Sequence, residues 1–118
     1  MTVQDIQKIL DANIITADCD LDREVHSACG SDMMSDVLAF VKNQSVLLTG
    51  LVNPQVVRTA EMMDMVCIVF VRGKQPDESI IELAENKDIT LLSTKHRMFT
   101  ACGLLYDNGL RGGSGVNG

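Results

Sequence analysis

Three short turns carry the side chains of this chain that are best suited to binding a ligand. Thr49-Gly50, Arg72-Gly73-Lys74 and Ser93-Thr94-Lys95-His96-Arg97 each follow an apolar run. Hydroxyl groups, free helix N–H groups and clustered basic side chains together suit an anion such as a phosphate. The pattern predicts that a nucleotide or phosphorylated metabolite binds at Thr49, Gly50, Asn53, Arg72, Ser93, Thr94, Lys95 and His96.

A simpler interpretation of the last turn stays open. Ser93 or Thr94 would cap a helix, and the three basic residues would form its solvated first turn. Positive charge at a helix N-terminus is unfavourable by about 0.3–1 kcal/mol. This cost favours a bound anion or a partner carboxylate, although a flexible exposed side chain escapes it.

Two other groups of residues resemble metal or catalytic sites. Asp18, Asp20 and Asp22 alternate as in a calcium loop, but that loop needs Gly at its sixth position and Glu at its twelfth. Arg23 and Cys29 occupy those positions, so solvated turn acids are the better interpretation. His26 with Cys29 gives only two potential metal ligands.

The nucleotide-binding and hydrolase motifs are missing from the sequence. It contains no G-x-x-x-x-G-K-[ST], no G-x-G-x-x-G, no H-E-x-x-H and no G-x-S-x-G. His96 is suited to act as a general base, but no Ser or Cys partner with a convincing context accompanies it. We therefore expect a protein that is not an enzyme and that uses no cofactor and no metal.

The elements that position the three turns alternate along the chain. Helical spacing of apolar residues and end signals predict helices, whereas uninterrupted apolar runs predict buried strands. Thr2 to Asp5 resembles a capping box, Ser31 or Asp32 suits an N-cap, and Asn53-Pro54 is a strong helix start. Helices are predicted over about 3–11, 33–41, 54–63, 76–84 and 95–105, and strands over 13–16, 23–28, 46–49, 66–71 and 89–92.

This alternation predicts an α/β fold. We expect a single domain with a mainly parallel sheet flanked by helices on both faces, equivalent to half of a doubly wound fold. The domain should span residues 1–110, because residues 111–118 are rich in glycine and should form a flexible tail.

Composition limits the classes of partner. The 118 residues carry a formal net charge of -6, so the basic footprint that nucleic acid binding requires is missing. No apolar run approaches the roughly 20 residues that span a bilayer. The N-terminus has no basic region followed by a long apolar stretch, so it does not resemble a signal peptide. The four cysteines are scattered, as expected of reduced thiols in a cytoplasmic protein.

Two stretches carry a resemblance to a known family. Leu47-Leu48-Thr49-Gly50-Leu51 with Asn53-Pro54-Gln55-Val56-Val57-Arg58-Thr59-Ala60, and Val69-Phe70-Val71-Arg72-Gly73-Lys74, resemble the DRTGG domain family. The opening helix, a short strand and Leu21-Asp22-Arg23-Glu24 are similar to the N-terminal domain of HPr kinase/phosphorylase. The kinase relatives carry their P-loop in a separate domain, which this chain lacks.

The resemblance implies a regulatory or scaffolding module rather than a catalyst. Such domains occur beside CBS domains in some pyrophosphatases, where they resemble dimerisation elements. Met33, Met34, Met62, Met63 and Met65 add more methionine than one small core needs, which favours an interface. We therefore expect a homodimer that acts with a larger enzyme or another protein partner; the alternative function is a small-ligand sensor.

Overall fold

The computed structural model describes residues 1–40 and 43–112. Helices and strands alternate within these residues. In chain order they are α1 (Val3–Leu10), β1 (Asn13–Ile14), β2 (Ser27–Gly30), α2 (Met34–Leu38), β3 (Ser45–Thr49), α3 (Pro54–Met62), β4 (Met65–Phe70), α4 (Glu78–Asn86), β5 (Thr90–Ser93) and α5 (Met98–Asp107).

The strands form one sheet with the spatial order β1-β5-β4-β3-β2. The pairs β2–β3, β3–β4 and β4–β5 are parallel, and only the short β1 runs antiparallel, beside β5. Every residue of β3, β4 and β5 is buried, as their continuous apolar sequences predict. The predicted α/β fold with a mainly parallel sheet is confirmed.

Helices cover both faces of the sheet. The crossover helices α2, α3 and α4 share one face, and their core contains Val37, Val57 and Ile80. Consecutive parallel strands that advance in one direction place their right-handed crossovers on the same side. The terminal helices α1 and α5 cover the other face, packing against each other and the sheet through Ile6, Leu10 and Leu105.

Local end signals act as predicted at two helices. Thr2 Oγ1 accepts a hydrogen bond from the Asp5 N–H at 3.1 Å, and the Asp5 carboxylate accepts one from the Thr2 N–H at 2.9 Å. Asn53 caps α3, whose first residue is Pro54. Each contact satisfies helix N–H groups that have no partner within the helix.

Two of the boundaries that differ from the prediction have a visible cause, one a tertiary contact and one a local helix cap. The strand predicted over 23–28 begins only at Ser27, since the Val25 N–H donates to the Met1 carbonyl and the segment before it lies beside the start of α1. Pro76 does not begin α4; it lies one residue before the N-cap, Asp77, which accepts from the Ile80 N–H at 3.1 Å.

The proposed boundary at residue 110 lies close to the end of the described chain. The predicted tail falls outside the described residues from position 113 onward. Leu110 is buried, and the Arg111 carbonyl accepts a hydrogen bond from the Ala28 N–H at 2.9 Å, on the outer side of β2.

Candidate functional site

The predicted site residues follow β3, β4 and β5 at one edge of the sheet. Because β2 to β5 are parallel, their carboxyl ends meet there, and we call this border the carboxyl edge. Backbone hydrogen bonds connect the turns: Val71 N–H donates to Thr49 O at 3.0 Å, and Arg72 N–H donates to His96 O at 2.8 Å. The prediction that these turns gather at one edge is confirmed.

Asp32, which follows β2, closes the turn after β3. Its Oδ1 accepts a hydrogen bond from the Gly50 N–H at 2.6 Å and one from the Thr49 hydroxyl at 3.2 Å. Thr49 Oγ1 also accepts from the Leu51 N–H at 3.1 Å, and Thr49 is fully buried. Thr49 therefore shapes the turn rather than presenting a free hydroxyl to solvent.

The expectation that Ser31 or Asp32 is the N-cap of α2 was wrong. Met33 occupies that position. Ser31 Oγ accepts from the Met33 N–H at 3.0 Å, while the Asp32 carboxylate is used by the neighbouring turn. Sequence reasoning missed the role of Asp32 because its partner is 18 residues away.

Asn53 and Arg72, two predicted ligand residues near Gly50, have different roles. Asn53 Oδ1 accepts from the Val56 N–H at 3.2 Å, so the oxygen of this predicted ligand residue serves as a helix cap. Arg72 is exposed and has a left-handed backbone with φ 61°. Its guanidinium lies against Gly50, in the space that a Cβ atom at position 50 would occupy.

The hydroxyl groups after β5 form internal hydrogen bonds. Ser93 Oγ donates to the Lys74 carbonyl at 2.8 Å and accepts from Gln75 Nε2 at 3.1 Å. Thr94 Oγ1 donates to the Leu10 carbonyl at 2.8 Å and accepts from the His96 N–H at 3.3 Å. Both residues are buried.

The expectation that Ser93 or Thr94 caps the last helix was therefore wrong. Arg97 is the N-cap of α5, and among the described residues no side chain accepts a hydrogen bond from the first turn of this helix. The start of α5 consequently combines unsatisfied N–H groups with the basic residues Lys95, His96 and Arg97. Lys95 and Arg97 are exposed, and His96 is half-buried.

A hollow of about 470 Å³ lies beside the β5 turn, and we call it the β5 hollow. Its size suits a small molecule. It is lined by Leu10, Asp11, Asn13, Gly73, Gln75, Ser93, Thr94, Lys95 and His96. Four of the predicted site residues thus line one cavity, whereas Thr49, Gly50, Asn53 and Arg72 lie outside it and surround the β3–α3 turn.

A second hollow, of about 370 Å³, lies at the opposite edge of the sheet and was not anticipated. Arg23 and four acids, Asp18, Asp20, Glu85 and Asp88, are among its lining residues. Arg23 Nη1 donates to the Asp88 carbonyl at 2.6 Å. Within residues 1–40 and 43–112, no three His, Cys, Asp or Glu side chains are arranged to hold a metal ion.

The four cysteines are free thiols. Cys67 lies fully buried in the core, and burial raises its thiol pKa far above the ordinary value. Burial also raises the pKa of Cys29 and Cys102, which are half-buried. None of these three thiols is poised to ionise at neutral pH, so they behave as small apolar residues.

The five methionines predicted to form an interface differ in exposure, and Met34 is half-buried against the core. Met63 and Met65 are core residues, so for these two the expectation of exposed surface was wrong. Met33 is 61% exposed and Met62 57% exposed, but they lie near opposite edges of the sheet. The sequence reasoning missed Phe99, which is 91% exposed on the first turn of α5.

Phe99 lies near the carboxyl end of the edge strand β2. Its neighbour Met98 and, one turn later, Cys102 both contact Gly30, the last residue of that strand. Met33 lies three residues after the end of β2, and Leu38, which is 44% exposed, ends α2. We call Met33, Leu38 and Phe99 the apolar rim.

Comparisons with known proteins identify a family and a solved structure with a similar fold. The DRTGG domain model matches residues 5–107, nearly the whole described chain. A solved structure of the CBS and DRTGG domains of the regulatory region of Clostridium perfringens pyrophosphatase, complexed with its activator diadenosine tetraphosphate, is similar with a TM-score of 0.73 and 21% identity. The match covers 88% of this chain but only 45% of that one. No curated protein sequence matches significantly.

Proposed function

Because the chain belongs to the DRTGG domain family, we propose that it is a non-catalytic regulatory module that self-associates as a homodimer. The C. perfringens relative belongs to the regulatory region of an enzyme. By analogy, the domain acts with a larger enzyme or another protein partner in the cytoplasm. In the described part of the chain, no helix is both long and apolar enough to cross a membrane.

The apolar rim is the observation that carries the self-association. Phe99 is almost fully exposed, and burying a Phe side chain stabilises an assembly by roughly 1.5–3 kcal/mol. Met33, the N-cap of α2, and Leu38, its last residue, add exposed apolar side chains from the crossover that follows β2. A second copy that covered this rim would bury side chains that the monomer leaves in water.

Charge insertion tests this surface. Phe99→Glu should convert the dimer into a monomer in size-exclusion chromatography with light scattering, because a buried carboxylate at the interface lacks a partner. Met62→Glu is the matched control: Met62 is 57% exposed but lies at the other edge of the sheet, so this variant should remain dimeric. A dimer that persists in Phe99→Glu, or is lost equally in both variants, contradicts the assignment.

The β5 hollow supports a second candidate function, the sensing of a nucleotide or phosphorylated metabolite. The observation that favours this function is the start of α5. No described side chain caps this helix there, and the basic residues Lys95, His96 and Arg97 precede its first residue. Unsatisfied helix N–H groups and positive charge both favour an anion. Lys95 and His96 also line the hollow itself.

Thermal shift tests ligand sensing. A ligand that binds only the folded state at 100 times its dissociation constant adds about 2.7 kcal/mol of stability. ATP, ADP and pyrophosphate should raise the melting temperature, and Lys95→Ala with His96→Ala should reduce the shift. Lys8→Ala, which removes an exposed charge from α1, is the control and should leave the shift unchanged. No shift at saturating concentrations contradicts this function.

A further inference from the structure

The Arg72 side chain has an unusual position on the carboxyl edge. Its guanidinium lies against the backbone of Gly50, with Nη2 closest to the place of a missing Cβ. Gly50 does not have a positive φ, so the turn itself does not require glycine there. The space above Gly50 is instead filled by the guanidinium from the next strand.

Backbone hydrogen bonds to the turn after β5 fix the position of Arg72 and of the next residue. The Arg72 N–H donates to the His96 carbonyl at 2.8 Å, and the next residue, Gly73, donates to the Thr94 carbonyl at 2.8 Å. Its left-handed φ of 61° is uncommon for a residue with a long side chain. These contacts join Arg72 to the same turn that places Lys95 and His96 in the β5 hollow.

The charge of Arg72 is not neutralised within the described residues. No carboxylate oxygen lies within 4 Å of its guanidinium, and the ion pairs there join Met1 to Glu24 and Lys87 to Glu61. The Asp32 carboxylate, which contacts the same Gly50 turn, accepts instead from Gly50 and Thr49. A planar guanidinium presents paired N–H donors that match a phosphate.

We propose that Arg72, resting on Gly50, is the residue that recognises the phosphate group of the ligand at the carboxyl edge. This inference rests on the ligand-sensing function proposed above, and it names the ligand class as a phosphate-bearing anion. Gly50 acts as a positioning residue, because only glycine leaves room for the guanidinium beside the turn. Lys95 and His96 lie on the neighbouring turn, which the Arg72 backbone contacts through the His96 carbonyl.

Pyrophosphate titration by calorimetry tests the assignment. Arg72→Gly removes the guanidinium and suits the left-handed backbone, so the variant should fold and bind about tenfold to a hundredfold more weakly. Lys74→Ala is the matched control, since Lys74 is an exposed cation on the same turn. It should change affinity by less than about twofold, because solvent and salt screen a charge that makes no contact.

The variant Gly50→Ala tests the position of the guanidinium separately from the net charge of the protein. The added Cβ displaces the guanidinium while every charge is kept, so binding should weaken several-fold with an unchanged melting temperature for the free protein. Equal weakening by Arg72→Gly and Lys74→Ala overturns the role of Arg72 but leaves ligand sensing intact. Failure of the unaltered protein to bind pyrophosphate overturns both.

Discussion

Asp32 Oδ1 accepts a hydrogen bond from the backbone N–H of Gly50 at 2.6 Å. This contact joins the residues after the edge strand β2 to the turn after β3, 18 positions later. The same oxygen accepts the Thr49 hydroxyl. One carboxylate therefore fixes the geometry of the turn against which Arg72 rests.

Removing this carboxylate should destabilise the domain. Asp32→Ala leaves the Gly50 N–H and the Thr49 hydroxyl without their acceptor, and a hydrogen bond to a charged group contributes about 1.5–3 kcal/mol. Since Asp32 is exposed, we expect a loss of about 1 kcal/mol in the free energy of unfolding measured with urea. Asp32→Asn keeps an acceptor oxygen and should lose less. Equal stabilities for Asp32→Ala and the unaltered protein would refute the contact.

Asp64 offers a site at which glycine should stabilise the chain. It connects α3 to β4 with a left-handed φ of 57°, which costs a residue with a Cβ roughly 1–2 kcal/mol relative to glycine, although Asp tolerates it better than most. Asp64→Gly should therefore raise the free energy of unfolding by up to about 1 kcal/mol. The control is Asp36→Gly inside α2, which should lower it by about 1 kcal/mol or less. A loss of stability in Asp64→Gly would contradict the expected backbone effect.

Two helix-capping carboxylates make stability depend on acid pH. The Thr2 backbone N–H and hydroxyl lower the pKa of Asp5 below 3.8, and the Ser79 hydroxyl and the Ile80 N–H lower that of Asp77 below 3.8. When folding lowers the pKa of a carboxylate, the ionised group stabilises the folded state at pH values above its pKa in the unfolded chain. This stabilisation is lost as the pH falls through its pKa in the folded protein.

The double variant Asp5→Asn, Asp77→Asn isolates this effect. It should be less stable than the unaltered protein at pH 6, and the difference should shrink as the pH falls below 3.8. Urea unfolding at several pH values measures the difference. A gap that stays constant across that window would show that these carboxylates do not carry the pH dependence.

The thiols should differ in reactivity according to burial. Cys67 is inaccessible and its pKa is raised by burial, so Ellman's reagent should modify it only after unfolding. Cys19, which is half-buried, should react in the folded state. Because folding raises the pKa of Cys67, its thiol ionises more readily in the unfolded chain. This difference progressively destabilises the folded state as the pH rises above 9.0. Rapid modification of Cys67 in native protein would contradict its place in the core.

Sequence-local features could be predicted, and features with distant partners could not. Asn53-Pro54 and the Thr2–Asp5 capping box act within four residues of chain, so their types and spacing specify them. Thr94 was predicted to cap a helix because Thr is a common N-cap residue. Its hydroxyl instead donates a hydrogen bond to the carbonyl of Leu10, 84 residues away. The local sequence does not indicate that the Thr94 hydroxyl will bond to Leu10 instead of capping a helix. That outcome depends on how α1 packs against the sheet.

The candidate site follows the same rule. Parallel strands bring their ends together, so the gathering of the β3, β4 and β5 turns followed from the alternation of elements. Which side chains remain available depended on contacts that cross the sheet. Thr49, Ser93 and Thr94 turned out to be structural, whereas Arg72, Lys95 and His96 remain open to solvent or to the hollow.

Sedimentation equilibrium of the unaltered protein at high micromolar concentration tests the central claim, self-association of a regulatory domain, most directly. The exposed apolar rim predicts a reversible dimer with twice the mass of the chain. Dissociation on dilution should follow a single monomer–dimer equilibrium. A monomer mass at every concentration would contradict the account.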